Sequence, residues 1–544
     1  MAKQKLNKRE YGWWKSAVFY QIYPKSFQDT DGDGIGDIPG IISRLDYLQS
    51  LGIDGIWLSP VCQSPQVDNG YDISDYQAIY PVFGTMEDME TLIREAGKRD
   101  ITIIMDLVLN HCSNQHPWFL EALKGKDNPY HDYFIWRDGD GITPPNDMCA
   151  VFGGSMWEYV PELQQYYFHQ FAAAQPDLNW ENPALRQELY NMIRFWVDKG
   201  IGGFRLDVID QIAKVPEEKI TANGPRLHEF LREMSAAAFR EDGIVTVGEA
   251  WGADVERAKI FSSRDGKELS MVFQFQHMGL DQQPDGEKWD MKPLYIPDLK
   301  KCVAAWQEGL ENEGWNSLFM NNHDLPRIVS RWGNDKEYRE ESAKMLATYL
   351  HGLQGTPYIY QGEEIGMTNI RLPLEDYVDL EIHNVYAERT AKGYDPADVL
   401  ESIYGRGRDN ARTPMQWTAG ENAGFTTGKP WLPVNENHSS INVEAALADP
   451  DSIFHYYQKL IALRKTYEVF RSGRFTLLLP DDKQRFVYRR DTVNEHLLVI
   501  CNFGETFASL ADIEIPENAK LLLTNYAQQG ENLKPYEARL YFWA

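Results

Sequence analysis

Three carboxylates stand where short apolar runs end. They are Asp207 in Gly-Phe-Arg-Leu-Asp-Val-Ile (203–209), Glu249 in Val-Thr-Val-Gly-Glu-Ala-Trp (245–251) and Asp324 in Phe-Met-Asn-Asn-His-Asp-Leu-Pro (319–326). A carboxylate at the end of a buried strand costs desolvation energy, so its repetition asks for chemistry rather than packing. A single acid after a strand usually caps a helix or lines a loop. Here each has a companion that makes the set more specific. Arg205 lies two residues before Asp207, on the same strand face, and favours its ionised form. His323 directly precedes Asp324. One acid as nucleophile, one as proton donor and one as electrostatic support is a set that cleaves a glycosidic bond.

The elements that must position these acids are legible as apolar bursts separated by helical patterns. Strands are expected at 17–22, 55–58, 101–107, 203–206, 244–247, 271–275, 317–320 and 357–360, with helices at 86–99, 183–199, 224–239 and 342–353. Eight strands alternating with helices imply an α/β fold, a (β/α)8 TIM barrel whose chemistry sits at the carboxyl ends of its strands. About 95 residues separate the third and fourth strands, far more than a βα loop needs. The first part of that stretch, 107–174, is read as an inserted subdomain. After a helix at 452–467, alternating runs at 475–479, 485–490, 496–502 and 520–524 indicate a small β domain. The expected division is a barrel over 1–106 and 175–470, the insertion over 107–174 and a C-terminal antiparallel β domain over 471–544.

The chain has 54 Lys plus Arg against 81 Asp plus Glu, a net charge of −27, which argues against nucleic acid or an anionic membrane as partner. Five scattered cysteines without a CxxC pair fit neither a zinc site nor a disulfide framework. The amino terminus is basic but has no apolar segment behind it, and no run reaches the roughly 18 apolar residues of a membrane span. A cytoplasmic protein is expected, as a monomer with a dimer as the alternative, acting on a small-molecule substrate.

A second local motif is Asp29-Thr-Asp-Gly-Asp-Gly-Ile-Gly-Asp37. Oxygen ligands from Asp29, Asp31, Asp33, the Ile35 carbonyl and Asp37 suit a hard cation, Ca²⁺ above all. It is not a complete EF-hand, because the twelfth loop position is Gly40 rather than Glu.

Taken together, the motifs resemble the α-amylase superfamily of glycoside hydrolases, in its oligo-1,6-glucosidase and dextran glucosidase branch. The resemblance spans nearly the whole chain. It is carried by Asp-Leu-Val-Leu-Asn-His (106–111), Gln-Pro-Asp-Leu-Asn-Trp (175–180), the three acid motifs and Arg-Asp-Asn-Ala-Arg-Thr-Pro-Met-Gln-Trp (408–417), in the family's order. It implies Asp207 as nucleophile, Glu249 as general acid and then base with its acidity weakened by burial, and Asp324 as a hydroxyl-binding support. It also implies net retention, with the two reacting carboxyls roughly 5–5.5 Å apart. His111 and His323 are assigned to substrate binding by the resemblance. Asp72 and Arg412 are expected to pair and close the pocket for exo-attack, with Tyr71 and Phe152 as ring walls. Val208, directly after the nucleophile, matches relatives that accept α-1,6 bonds, and Trp251, Lys288 and Glu381 match positions lining the next subsite. The metal loop is expected to be structural, with no cofactor in catalysis. Alternatives are an α-1,4-preferring glucosidase, a trehalose-6-phosphate hydrolase and, outside enzymes, a transporter scaffold. The first two share the acids, but a phosphate pocket needs cations, of which only Lys288 stands out.

Overall fold

The computed structural model describes residues 10–239, 243–263 and 268–544; the basic stretch 1–9 lies outside them. Eight strands form one sheet: β1 (Phe19–Ile22), β2 (Gly55–Leu58), β3 (Thr102–Val108), β4 (Gly203–Asp207), β5 (Val245–Glu249), β6 (Met271–Phe273), β7 (Ser317–Leu318) and β8 (Thr356–Tyr360). Their order is β6-β5-β4-β3-β2-β1-β8-β7, so chain order runs around a ring in which β8 neighbours β1. The topology is that of a (β/α)8 barrel. The recorded ladders are parallel, among them β3 with β4, β4 with β5 and β1 with β8.

The sequence explains the elements that hold this sheet. The helix Met86–Gly97 begins with a reciprocal capping box between Thr85 and Asp88. The helix Pro183–Lys199 starts on an Asn182 cap with proline in its first turn and stops at Gly200, which takes φ 103°. Its Leu185, Leu189, Ile193 and Trp196 are buried at helical spacing.

Contacts divide the chain into two compact units. The first, the described residues within 10–12, 57–98 and 102–274, carries the central strands from β3 to β6 and the insertion, where Trp136–Asp138, Gln165–Phe168 and Trp157–Val160 make an antiparallel sheet. Ile135, Met156, Trp157, Tyr166 and Phe168 form its apolar core. The second unit, 13–56, 99–101 and 275–544, carries β1, β7 and β8 and a five-stranded antiparallel sheet near the C-terminus. That sheet contains the four expected strands and Ala538–Trp543, which the sequence reading omitted. Helices Leu380–Ala391 and Pro396–Arg406 had also not been singled out; they pack through Ile382, Val385, Val399 and Ile403. Among the described residues, no helix is long and apolar enough to cross a membrane.

Candidate active site

In the first unit the strand register builds a cluster of three acids around one cation. Arg205 of β4 lies opposite Asp106 of β3, and Asp207 closes β4 one strand-face repeat later. Glu249 is the last residue of β5. The Arg205 guanidinium reaches Asp106 Oδ1 and Asp207 Oδ1 at 2.7 Å each and Glu249 Oε2 at 2.6 Å. Asp106 Oδ2 also accepts from the Tyr71 hydroxyl at 3.0 Å and the Trp57 indole at 3.2 Å. Both oxygens of Glu249 have donors: the Val208 amide at 3.0 Å and Trp251 Nε1 at 3.1 Å. Val208 takes left-handed angles, φ 35° and ψ 45°, which a β-branched residue adopts only under strain. That strain turns its amide toward the Glu249 carboxyl.

One guanidinium serves three carboxyls, and this corrects the simple expectation that Arg205 keeps Asp207 ionised. Burial pushes the Asp207 carboxyl well up; Arg205 opposes that, but Glu249 and Asp106 add to it. Asp106 is raised to about 6, again by burial first, against the pull of Arg205. Asp207 and Asp106 therefore hold on to protons that isolated carboxyls would lose.

His111 is buried, with its ring facing the Gln175 and Asn110 amides at 3.2 Å. Burial lowers it to about 4, so the ring is neutral. Phe171 packs on it at 5.0 Å and Phe152 on Phe171 at 5.9 Å, a chain of rings in which Phe171 was not anticipated. Behind them Lys214 fills a buried polar centre, reaching Asp177 at 2.6 Å, Asn110 Oδ1 at 2.6 Å and the Asn110 carbonyl at 3.2 Å. Breaking such a buried pair from one side typically costs ~3–5 kcal/mol, so it fixes the motifs that carry His111. Tyr71 is tied through its hydroxyl to Asp106 rather than acting only as an apolar wall.

Asp72 is the clearest correction. It is fully buried, and its carboxylate accepts from the Ser64 hydroxyl and the Val67 and Asp68 amides, so it shapes the loop and has no surface for a sugar. Asp68, four residues upstream, is half-buried; it accepts from Gln175, which also faces His111.

The second unit carries the other half of the expected residues. Arg412 donates to Asp324 Oδ1 at 2.7 Å and to the His323 carbonyl at 3.0 Å, while its buried Nη1 has no acceptor. His323 faces Gln21 at 2.8 Å and Asp324 Oδ2 at 3.2 Å and stacks on Tyr23. Lys288 meets Glu381 at 2.5 Å. Arg408, within a quoted motif but without an expected role, pairs with Asp379 at 2.6 Å and reaches Glu381 at 3.4 Å. Trp251, in the first unit, is about half exposed.

The aspartate loop offers Asp29, Asp31 and Asp37 with carboxylate oxygens within 4.8 Å of one another. Asp33 is exposed and accepts from the Ile35 amide. Burial raises Asp37, and the neighbouring Asp29 adds to this. Burial acts to raise Asp29 too, but Thr426 and the Gly32, Gly34 and Asp31 amides outweigh it and hold its carboxyl low. An ionised Asp29 beside two further carboxylates is a hard-oxygen set that could hold a metal ion.

The family model described as "Alpha amylase, catalytic domain" matches residues 21–473. The oligo-1,6-glucosidase of Parageobacillus thermoglucosidasius is 54% identical, over 97% of this chain and 98% of its own length. The glucan 1,6-alpha-glucosidase of Streptococcus pneumoniae is 57% identical over 90% of this chain and 91% of its own. A solved trehalose-6-phosphate hydrolase of Bacillus licheniformis superposes with a TM-score of 0.93 at 47% identity, over 97% of this chain and 99% of that one. With the acids at the ends of β4 and β5 and a barrel strand order, these matches establish that the chain belongs to the α-amylase family of glycoside hydrolases.

Proposed function

We propose that the protein is a retaining, exo-acting α-glucosidase that removes glucose from the non-reducing end of isomalto-oligosaccharides and short dextrans. The observation that carries the chemistry is the shared guanidinium: Asp207 and Glu249 both lie on Arg205, the close spacing that a double displacement needs. Glu249 protonates the glycosidic oxygen while an Asp207 oxygen attacks the anomeric carbon, and the shortened sugar leaves as an alcohol. Forming the ester removes one negative charge beside Glu249, which favours the carboxylate that then accepts a proton from water. That water attacks the same carbon from the opposite face, releases Asp207 and gives glucose with its configuration retained. Asp324, with Arg412 and His323, holds the glucose hydroxyls and balances developing positive charge, and the unpaired Arg412 Nη1 is a donor such a hydroxyl satisfies.

The α-1,6 preference is supported by the names of the two relatives and by Val208, a buried, branched apolar side chain directly after the nucleophile. Trp251, Lys288 and Glu381 line the leaving-group side in this reading. Trehalose 6-phosphate is disfavoured by charge: Lys288 is matched by Glu381 and Arg408 by Asp379, leaving little net cation for a phosphate. Initial glucose release from isomaltotriose, maltotriose and trehalose 6-phosphate at equal concentration tests this. Isomaltotriose should lead maltotriose by ~10–200-fold, the range that steric discrimination supplies. Faster release from either of the others overturns the substrate assignment.

The aspartate loop binds Ca²⁺ in this reading, with ligands from Asp29, Asp31, Asp33, the Ile35 carbonyl and Asp37, and serves stability alone. Saturation at 100 times Kd adds ~2.7 kcal/mol, so calcium should raise Tm by a few degrees over chelated protein. Equal melting in both conditions would remove the metal from the account. The five unpaired cysteines suit a reducing compartment, the cytoplasm.

A further inference from the structure

The turn after β4 holds a buried acid that the reaction above does not use. Asp210 is fully buried within the short turn Ile209–Gln211, which Val208 opens in its left-handed conformation. Its Oδ2 accepts from the Gly252 amide at 3.0 Å, and its backbone carbonyl accepts from the Asn223 amide at 2.7 Å. Its Oδ1 has no partner. Gly252 follows Trp251, and a Cβ there would meet the Asn223 side-chain amide and come within 3.3 Å of Asp210 Oδ2, so the two turns approach each other closely here.

These turns carry the two donors on Glu249. The Val208 amide, on the Asp210 turn, holds Oε2; the Trp251 indole, beside Gly252, holds Oε1. We propose that Asp210 is a positioning residue for Glu249, cross-linking the turn after β4 to the turn after β5 so that both donors stay on the carboxyl. Resting as it does on Glu249 being the acid, the proposal explains why a costly buried carboxylate stands here when an amide oxygen would accept the same single hydrogen bond. Its carboxyl also places a charge beside Glu249, a neighbour that a neutral amide would not supply. Burial raises Asp210 itself to about 6; the Gly252 amide opposes this, Glu249 adds to it, and Arg257, on the helix Val255–Phe261, pulls it back. Beyond Glu249 stand Arg205, Asp106 and Asp207, which set the rest of the local charge.

The test uses Asp210→Ala and Asp210→Asn in the full-length enzyme. Asp210→Ala should lower kcat on isomaltotriose by roughly 10- to 100-fold with KM nearly unchanged, the scale of a misplaced catalytic group. On 2,4-dinitrophenyl α-glucoside, whose leaving group needs no proton, its glycosylation rate should stay within about threefold of wild type, well inside a factor of ten. Asp210→Asn keeps an acceptor for Gly252 but removes the charge, so the basic limb of its kcat–pH profile on isomaltotriose should move to lower pH. A merely structural role would lower both substrates equally and leave that limb in place, and this result overturns the proposal. If Asp210→Ala does not fold, the limb of Asp210→Asn decides alone. Glu249→Gln run in parallel separates the two failures: if it retains isomaltotriose activity, the assignment of the acid is at fault; if it is inactive while the Asp210 variants behave like wild type, only the positioning role falls.

Discussion

Asp207→Asn should abolish turnover of isomaltotriose, lowering kcat by about 10⁴-fold or more, because the side chain that forms the glucosyl ester is lost. The variant should nonetheless be folded. The Asp207 carboxyl is raised on folding by burial and by Glu249 and Asp106. A carboxyl raised in this way contributes stability that is present at low pH and lost as pH rises through its folded value. Asparagine carries no such dependence, so at pH 8 the variant should melt at or above the wild-type temperature. Inactivity with a lowered Tm would point to collapse of the site instead of a missing nucleophile. Asp207→Gly gives a sharper form of the test. Azide entering the space left by the carboxylate should attack the α-glucoside directly, a single inversion, and yield β-glucosyl azide.

Glu249→Ala should show the complementary pattern. Loss of general acid–base help lowers kcat on isomaltotriose by ~10²–10⁴-fold. A dinitrophenyl leaving group departs without protonation, so glycosylation recovers and the glucosyl ester on Asp207 accumulates. Azide then attacks that ester, and two inversions give α-glucosyl azide. Opposite azide anomers from the two variants assign the roles in one experiment; the same anomer from both would contradict the assignment. Both results depend on the Arg205 cluster, where the two carboxyls share a donor.

The barrel was readable in the sequence because apolar bursts fall at regular βα spacing. Gly55–Leu58 and the helix Pro183–Lys199 match the expected bounds, the helix being marked by an Asn cap, a first-turn Pro and a terminal Gly. β7 is shorter than expected, two residues instead of four. Arg205, Asp207 and Glu249 were visible because a charge at the end of an apolar run is anomalous on its own. Asp106 stands in an equally apolar run but earns its role only through the register that sets it opposite Arg205. Asp72 and Asp68 differ in what the loop folds over them: Ser64 and two amides bury one and leave the other near the surface. Nothing in the local residues separates them. Asp210 was hidden likewise, its partner Gly252 lying 42 residues away.

The most direct test of the central claim is a proton NMR time course of isomaltotriose hydrolysis, read before mutarotation blurs the anomers. The account predicts α-glucose as the first product, with isomaltose appearing in step and no longer or internal fragments. β-Glucose first would mean a single displacement and would contradict the covalent role of Asp207; no glucose at all would contradict the α-1,6 exo-activity.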